Sequence, residues 1–432
     1  MSIMGFSRRT DGKRTGLRIL SVLVMLLVLA STVYVIAAAP SAEQRTAKYK
    51  DVVEAFETLF LVRQNYYKAV STSELIKAYL AEGNVQAMLD KLPDPYDTFL
   101  PADRYSKFKE DTEGTFEGIG ILFGLRDNKI TIISPMEGTP AYRAGLLPGD
   151  IITAVDGVSV EGRTTDEVSG MIKGKKGTTV VLSIERGLDA KKMEFPIVRD
   201  TIVDQPVRSY MLDDRAKIAY IELRSFTSRR AAAQMEEAIR TLKSKGAKGI
   251  ILDLRYNGGG LVDMAVDIGG LFVGRQVILY TQGRDGVKYP VNSTVSKLVD
   301  VPVICLVNEY SASAAEILAG ALQDLKGATI LGSPTFGKGL VQTYYPISNG
   351  AAVGITTQVY LTPAGKAITH ETPIQPDIVL VVTDEELAAL KAEAGSKKIE
   401  EMTAEELMRV DPATDPQLKA AMEKLVEMTG QK

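Results

Sequence analysis

Short apolar runs alternate with amphipathic helical patterns over residues 199–384, and this alternation constrains the fold more than any other feature. Residues 249–254 and 301–307 are almost entirely apolar, which is typical of strands buried on both faces of a sheet. Residues 228–243 repeat apolar side chains at helical spacing, and residues 313–325 form an alanine-rich helical pattern. This order predicts an α/β domain in which helices cover a central sheet.

The flanking segments have different patterns. Residues 43–110 predict a helical N-terminal region, with its second helix at residues 73–92. Residues 111–198 consist of short β-branched runs separated by glycines, which predicts a small β-rich domain. Residues 385–432 are charged and helix-prone, without a core pattern of their own. The predicted fold class is a multidomain α+β protein that contains one α/β domain and ends in a helical region.

Residues 1–42 predict a basic cytoplasmic stub and a transmembrane anchor. A basic stretch precedes the mostly apolar residues 19–39, which are long enough to span a bilayer. The positive flank predicts that the N-terminus stays inside and that the rest of the chain lies outside the cytoplasm, in the periplasm or at the outer face of the inner membrane. Three alanines at 37–39 resemble a signal-peptidase site, but Pro40 follows directly, which favours an uncleaved anchor.

The composition excludes several classes of function. A net charge of −3 and a pI near 5.6 provide no electrostatic basis for binding nucleic acid. The single cysteine, Cys305, lies in an apolar run and is expected to be buried and inert. The single histidine, His370, lies in a polar stretch and is expected to be exposed. With so few soft ligands, we expect no metal and no cofactor.

Ser313 lies where an apolar run gives way to the alanine-rich helix. Free N–H groups at a helix N-terminus favour developing negative charge, so Ser313 can act as a nucleophile while the N–H of Ala314 helps to hold an oxyanion. Taken alone, the serine is more simply explained as a helix cap. Three glycines at 258–260 follow another strand and suit an oxyanion hole, although an ordinary tight turn is the alternative.

Lys338 is the candidate base for this serine. A lysine replaces the usual histidine when burial keeps its amine neutral, and Lys338 follows Ser313 by 25 residues between two glycines and close to apolar neighbours. Gln342 is in phase with Lys338 for either one helical turn or one strand face, so its amide can orient the amine. In isolation, a lysine in such a position is usually a solvated surface residue.

These motifs together resemble the carboxyl-terminal processing proteases, also called tail-specific proteases. Ser313 lies in Ser-Ala-Ser-Ala-Ala-Glu-Ile, Lys338 lies in Phe-Gly-Lys-Gly, and Gln342 follows four residues later, matching the family's nucleophile, base and supporting glutamine. The segment Asp-Leu-Arg-Tyr-Asn-Gly-Gly-Gly at 253–260 is similar to the family's oxyanion loop. The resemblance implies a serine endopeptidase in which Gly259 and Ala314 are the oxyanion donors.

The β-rich segment is similar to the PDZ domain of the same family. The family's carboxylate-gripping loop corresponds here to Gly118, Ile119, Gly120 and Ile121. In such domains the backbone N–H groups of this loop bind a peptide C-terminus while the peptide is added to the sheet as a strand. The implied partners are therefore proteins or peptides with accessible C-termini, and the helical ends of the chain suggest a homodimer, as in some relatives.

The chain departs from the family pattern at two places. The usual Arg-Gly-Pro near the end of the PDZ domain reads Lys-Gly-Lys at 173–175, so coupling of the two domains through that arginine is not implied here. The usual Asp-Pro-Tyr-Ser reads Asp-Pro-Tyr-Asp at 94–97, which from the sequence is a minor difference.

Two other functions are compatible with parts of the pattern. A trypsin-like protease with a PDZ domain needs a catalytic histidine early in its domain, whereas His370 follows the serine. A PDZ-containing scaffold or chaperone with an inactive peptidase domain is the second alternative. The intact serine, lysine and glycine motifs favour an active enzyme over this scaffold.

Overall fold

A computed structural model describes residues 42–430, except 127, 137, 188–189, 384–385 and 387–409. The described residues divide into two compact units, one formed by those up to Tyr105 together with Gln342–Gln358, the other by Ser106–Val341 and those from Val359 onward. Among the described residues, no helix has both the length and the apolar character needed to cross a bilayer. The predicted anchor at residues 19–39 lies outside the described residues, as does much of the predicted C-terminal helical region.

The first unit begins with three helices, which are α1 (Ala42–Asn65), α2 (Thr72–Glu82) and α3 (Val85–Leu89). The predicted single helix over residues 73–92 is wrong, because two residues divide it. Gly83 adopts a left-handed φ of 74° that ends α2. The side chain of Asn84 then accepts a hydrogen bond from the N–H of Ala87 at 2.9 Å, which caps the start of α3.

A hairpin from late in the chain completes the first unit. Strand β1 (Thr98–Leu100) pairs antiparallel with the start of β18 (Ala352–Leu361), and β17 (Leu340–Pro346) also pairs with β18. Helices and hairpin share one apolar core, which includes Val62, Tyr66, Leu75, Met88, Val353 and Ile355. The sequence assigns residues 342–358 to the α/β domain and contains no local sign that they pack with the N-terminal helices.

The second unit contains the β-rich segment, an antiparallel sheet in the order β3-β4-β5-β7-β8 with β6 beside β5. Its strands are β3 (Ile121–Arg126), β4 (Lys129–Pro135), β5 (Ile151–Val155), β6 (Val158–Ser159), β7 (Thr179–Arg186) and β8 (Lys191–Val198). Helices α5 (Pro140–Arg143) and α6 (Thr165–Ile172) accompany this sheet. Strand β8 tolerates Pro196 because it lies at an edge. The opposite edge is β3.

A short two-stranded ribbon leads into and out of this sheet. After α4 (Ala102–Glu113), strand β2 (Thr115–Gly118) pairs antiparallel with β9 (Asp200–Val203), and Phe116 lies opposite Ile202. The β-rich domain therefore connects to the rest of its unit through two adjacent strands.

The α/β part of the second unit is a six-stranded sheet in the order β10-β11-β12-β15-β16-β19, in which all strands except β10 run parallel. The strands are β10 (Val207–Asp213), β11 (Ile218–Leu223), β12 (Gly249–Asp253), β15 (Val303–Val307), β16 (Thr329–Gly332) and β19 (Ile378–Val379). A separate hairpin of β13 (Val277–Gln282) and β14 (Lys288–Asn292) pairs with the last residues of β18.

Helices cover both faces of this sheet, as predicted. They are α7 (Ala231–Ser244), α8 (Val262–Val273), α9 (Ala314–Asp324) and α10 (Pro416–Thr429). Because side chains alternate along a strand, Ile250 and Leu252 of β12 join the core with α7, α8 and α9, whereas Ile251 packs with α10. Cys305 is fully buried in the first of these cores, as predicted, and burial raises the pKa of its thiol.

Candidate active site

Ser313 has an unusual backbone conformation, with φ of 56° and ψ of −116° immediately before α9. A capping serine normally has an extended backbone. For a residue other than glycine, a sparsely populated conformation of this kind costs about 1–3 kcal/mol and persists only where its surroundings enforce it. Strain of this kind is concentrated at functional sites, so the geometry favours a nucleophile over a simple helix cap.

The buried carboxylate of Glu316 enforces this conformation. It accepts a hydrogen bond from the N–H of Ser313 at 2.9 Å and another from the N–H of Lys338 at 2.8 Å. The N–H of Gly337 and the hydroxyl of Thr335 donate to its other oxygen, both at 2.6 Å. Glu316 is fully buried, and these four donors stabilise its charge away from water. One side chain therefore joins the loop of Ser313 to the loop of Lys338.

Tyr360 of β18 also joins these two loops, by hydrogen-bonding to a carbonyl group in each. Its hydroxyl hydrogen-bonds to the carbonyl oxygen of Ser313 at 3.1 Å and also to the carbonyl oxygen of Lys338. The ring is fully buried. The backbones of Ser313 and Lys338 thus share two side-chain partners. The carboxyl group of Glu316 accepts from their N–H groups, and the hydroxyl of Tyr360 lies within hydrogen-bond distance of both of their carbonyl oxygens.

Glycines on both sides of Lys338 allow close backbone packing. A Cβ atom on Gly337 would lie 2.3 Å from the carbonyl oxygen of Thr369, and one on Gly339 would lie 1.9 Å from that of Ile368. Both contacts are far closer than atoms allow, so only glycine fits at either position. The half-buried Lys338 is consequently held between two tightly packed residues, unlike the freely solvated lysine that the sequence left as the alternative.

Gly259 packs directly against the proposed nucleophile. It has a φ of 98°, and a Cβ atom there would lie 2.8 Å from Cβ of Ser313 and 2.9 Å from the backbone nitrogen of Ala314. The two predicted oxyanion donors are therefore brought together. In this structure the N–H of Gly259 donates to Oδ1 of the buried Asn257 at 2.9 Å. The backbone carbonyl of Asn257 accepts from the N–H of Ala312, also at 2.9 Å, which ties the two loops together.

Gln342 lies on β17, and its side-chain amide donates to the hydroxyl of Thr356 at 3.2 Å. That hydroxyl donates in turn to the carboxylate of Asp94 at 3.1 Å. The hydroxyl of Tyr66 donates to the same carboxylate at 2.6 Å. Gln342 is therefore the first member of a polar chain that ends in the first unit's helical core.

The predicted carboxylate-gripping residues form a tight bend at the edge of the β-rich sheet. Gly118 ends β2, Ile119 is buried, and Ile121 begins the edge strand β3. Gly120 has a φ of 79°, and a Cβ atom there would lie 2.5 Å from the side chain of Thr139. The bend leaves an edge strand to which an extended peptide can be added.

Sequence reasoning missed three residues that hold the candidate site together, namely Glu316, Tyr360 and Asn257. Glu316 had a detectable signal, because Ser-x-x-Glu at a helix start is the capping-box pattern. Asn257 lies in the glycine-rich motif at 253–260, but neither its bond to Ala312 nor the bonds of Tyr360 to Ser313 and Lys338 can be predicted from local sequence. His370 is exposed, as predicted, and its ring packs against Phe336 at 4.8 Å between centroids.

Comparisons with known proteins agree with this architecture. The profile of "Peptidase family S41" matches residues 217–380, and that of "PDZ domain" matches residues 131–186. The carboxy-terminal processing protease CtpA of Bacillus subtilis (strain 168) is 35% identical over 345 residues, which cover 80% of this chain and 71% of that protein. The carboxy-terminal-processing protease of Bartonella bacilliformis is 35% identical over 361 residues, covering 82% and 80%.

A solved structure shares the fold. The crystal structure of a putative S41 protease from Bacteroides fragilis matches with a TM-score of 0.52 and 17% identity, covering 87% of this chain and 97% of that one. Fold and comparisons together define a serine-type peptidase that carries a PDZ domain. The chain belongs to the carboxy-terminal processing protease family.

Replacing Glu316 by glutamine should disturb both stability and activity. The substitution places an amide group against N–H donors, and leaving buried donors unsatisfied costs about 1–3 kcal/mol in the free energy of unfolding. A displacement of reactive groups by about 1 Å can lower kcat/KM about 100-fold. Glu237→Gln, on the exposed side of α7, is the matched control. Denaturant unfolding and peptide hydrolysis measure the two effects, and equal behaviour of the two variants would contradict the role of Glu316.

Proposed function

We propose that this serine peptidase cleaves proteins that present accessible C-terminal tails, with Ser313 as nucleophile and Lys338 as base. The observation that carries the proposal is the sharing of Glu316 and Tyr360 by the backbones of these two residues. Such bracing keeps a nucleophile and its base in a constant relation, as catalysis by positioned groups requires. The strained backbone of Ser313 supports the same assignment.

In the proposed reaction the neutral amine of Lys338 accepts the proton of the Ser313 hydroxyl while the oxygen attacks the scissile carbonyl carbon. The resulting tetrahedral intermediate collapses, the C–N bond breaks, and the lysine ammonium protonates the departing amine. Water then attacks the acyl-enzyme while Lys338 again accepts a proton, the ester bond to Ser313 breaks, the lysine ammonium returns the proton to the serine oxygen, and the second product leaves with a new carboxyl group. We assign to Gln342 the support of the lysine amine.

The oxyanion would be held by the N–H groups of Gly259 and Ala314. Ala314 is the first residue of α9, where backbone N–H groups have no partner within the helix and the helix dipole favours negative charge. Gly259 currently donates to Asn257, so it must share or exchange that hydrogen bond when the oxyanion forms. A developing full charge is the stronger acceptor, which favours this exchange.

Substrate capture is assigned to the β-rich domain, for which we propose the boundaries 111–198, with the peptidase domain at 199–384. A substrate tail would extend the sheet at β3 and place its terminal carboxylate against the backbone of Gly118, Ile119, Gly120 and Ile121. The exposed edge of β3 supports this mode. Lys173, which replaces the usual arginine, lies with its amine over the ring of Phe116 at 5.0 Å, next to the two-stranded ribbon.

We further propose that residues 1–42 anchor the enzyme in a membrane and that the peptidase acts outside the cytoplasm. The basic stretch before the apolar residues 19–39 supports this orientation. The helical region from residue 43 and the helical C-terminal region are the surfaces that we propose for self-association.

Loss of either reactive side chain should abolish hydrolysis. Removing one member of a nucleophile–base pair lowers kcat by about 10⁴-fold or more, and removing both costs little beyond either alone. Ser313→Ala, Lys338→Ala and the double variant should therefore behave alike, while the exposed Lys245→Ala should match wild type. Hydrolysis of a peptide ending in small apolar residues is the measurement. Equal hydrolysis by Ser313→Ala and wild type would show that Ser313 is not the nucleophile, and hydrolysis by neither protein would favour the scaffold.

Activity should rise with pH because only the neutral amine of Lys338 can accept the serine proton. Below the pKa of a required base, kcat/KM increases about tenfold per pH unit. The profile should be measured between about pH 5 and pH 9 with one substrate at low concentration. A flat profile over this range would be inconsistent with a lysine base.

Cleavage should depend on a free substrate C-terminus. Amidating the terminus removes the negative charge that the loop of the β-rich domain would bind, so KM should increase, while kcat for bound peptide changes little. A pair of peptides that differ only in a terminal carboxylate or amide provides the comparison. Equal KM values for the two would refute capture through the carboxylate.

A further inference from the structure

Asp97 is a buried carboxyl group that the proposed reaction does not use. Only 6% of its surface is exposed. Its Oδ1 atom accepts a hydrogen bond from the N–H of Thr356 at 2.8 Å. Its Oδ2 atom makes no hydrogen bond to any residue that the structure describes. An ionised carboxylate buried in this way is costly, whereas a protonated one is not.

The groups that face Asp97 make a negative charge there still less favourable. Asp94 accepts hydrogen bonds from Tyr66 at 2.6 Å, from the Thr356 hydroxyl at 3.1 Å and from the N–H of Tyr96 at 3.1 Å. The hydroxyl of Tyr66 donates to Asp94 and at the same time lies close enough to Asp97 to lower the pKa of its carboxyl. A buried carboxyl beside a second carboxylate does not ionise cheaply.

Burial is the largest influence on Asp97 and, together with the charge of Asp94, raises the pKa of its carboxyl to about 7. The N–H of Thr356 and the hydroxyls of Tyr66 and Thr356 act in the opposite direction. Further out, Tyr67 packs edge-on against Tyr66 at 5.1 Å, and the amine of Lys68 lies over the ring of Tyr67. The side-chain amide of Gln86 donates to Oδ1 of Asp90 at 2.8 Å and to the backbone carbonyl of Asp97 at 3.4 Å, not to the Asp97 carboxyl.

Thr356 connects this pair of acids to Gln342. Its hydroxyl proton goes to Asp94, so the hydroxyl oxygen can only accept from Gln342, which donates through Nε2 at 3.2 Å. This order determines which end of the Gln342 amide points toward Thr356. The amide oxygen is consequently directed elsewhere and is kept as an acceptor. Thr356 is itself held at its backbone N–H by Asp97 and is fully buried.

We infer that Asp97 is a positioning residue that, in its protonated form, keeps the Asp94–Thr356 pair and hence the Gln342 amide in their working orientation. Ionisation of Asp97 places a second negative charge beside Asp94 and makes Asp97 a competing acceptor for the hydroxyl protons of Tyr66 and Thr356, which draws the Thr356 hydroxyl away from Asp94. The inference rests on the proposed role of Gln342 as support for the lysine amine. The sequence alone suggests that Asp-Pro-Tyr-Asp at 94–97 is a minor departure from the family pattern. Under this inference the departure matters, because it introduces a buried titratable group.

The sign of the effect on stability follows from proton binding. Because the folded-state pKa of about 7 lies above the ordinary value of 3.8, the folded chain holds a proton that the unfolded chain releases between these two pH values. The contribution of Asp97 to stability is therefore most favourable below about pH 4 and declines as the pH rises toward 7. Asp97→Asn keeps the acceptor oxygen for Thr356 and cannot ionise.

The experiment compares wild type, Asp97→Asn, Gln342→Ala and the double variant, using the full chain. Asp97→Asn should have a higher melting temperature than wild type, and the difference between the two should be larger at pH 8 than at pH 5. In the same comparison, kcat of Asp97→Asn relative to wild type should rise with pH by about 2- to 10-fold, the range expected for coupled neighbours, with KM unchanged. In the Gln342→Ala background this gain in kcat should vanish. The exposed Asp103→Asn is the matched control.

Three results would overturn the inference, and each identifies a different fault. A melting-temperature difference that is independent of pH would show that Asp97 does not hold a proton in the folded chain. A gain in kcat that persists in the Gln342→Ala background would show that Asp97 does not act through Gln342. Full activity of Gln342→Ala alone would remove Gln342 from the proposed mechanism, and with it the coupling, whatever the melting temperatures show.

Discussion

The buried carboxylate of Glu316 is the interaction on which the rest of the site depends. The side chain is fully buried, and its four donors come from a helix start and from a loop about 20 residues later. Removing a charged acceptor from such a cluster would leave several buried donors without partners, which is why the arrangement is held as a unit. The strained conformation of Ser313 is maintained by this unit and not by local sequence preference.

The site is built mainly through the backbone. Glu316 and Tyr360 bind N–H and carbonyl groups, and the glycines beside Lys338 and in the 258–260 turn let main chains approach within distances that any side chain would prevent. Backbone groups have few degrees of freedom, so positions defined in this way are more precise than positions defined by long side chains. The arrangement suits a lysine base, whose flexible chain needs a well-defined origin.

The first unit contains a second polar cluster, which is organised around two carboxyl groups, those of Asp94 and Asp97, whereas the candidate site is organised around the single carboxyl group of Glu316. Glu316 has four hydrogen-bond donors, whereas Oδ2 of Asp97 has no hydrogen-bond partner among the described residues, and burial raises the pKa of the Asp97 carboxyl. The same principle accounts for both, because a buried carboxylate is retained as a charge only where enough donors surround it. Substituting a serine by an aspartate therefore has different consequences at a buried position and at a solvated one.

The family, the α/β sheet with its covering helices and the candidate residues Ser313, Lys338 and Gly259 can be predicted from the sequence, because each depends on a local pattern or a short motif. The contacts around these residues become visible only in the folded chain. Tyr360 bonds to carbonyl groups 22 and 47 residues away, and the hydroxyl of Thr356 bonds to Asp94, which is 262 residues away. No local preference encodes such contacts. The same is true of the helix that ends at Gly83 and of Asp97, whose proton depends on burial, which a sequence pattern does not measure.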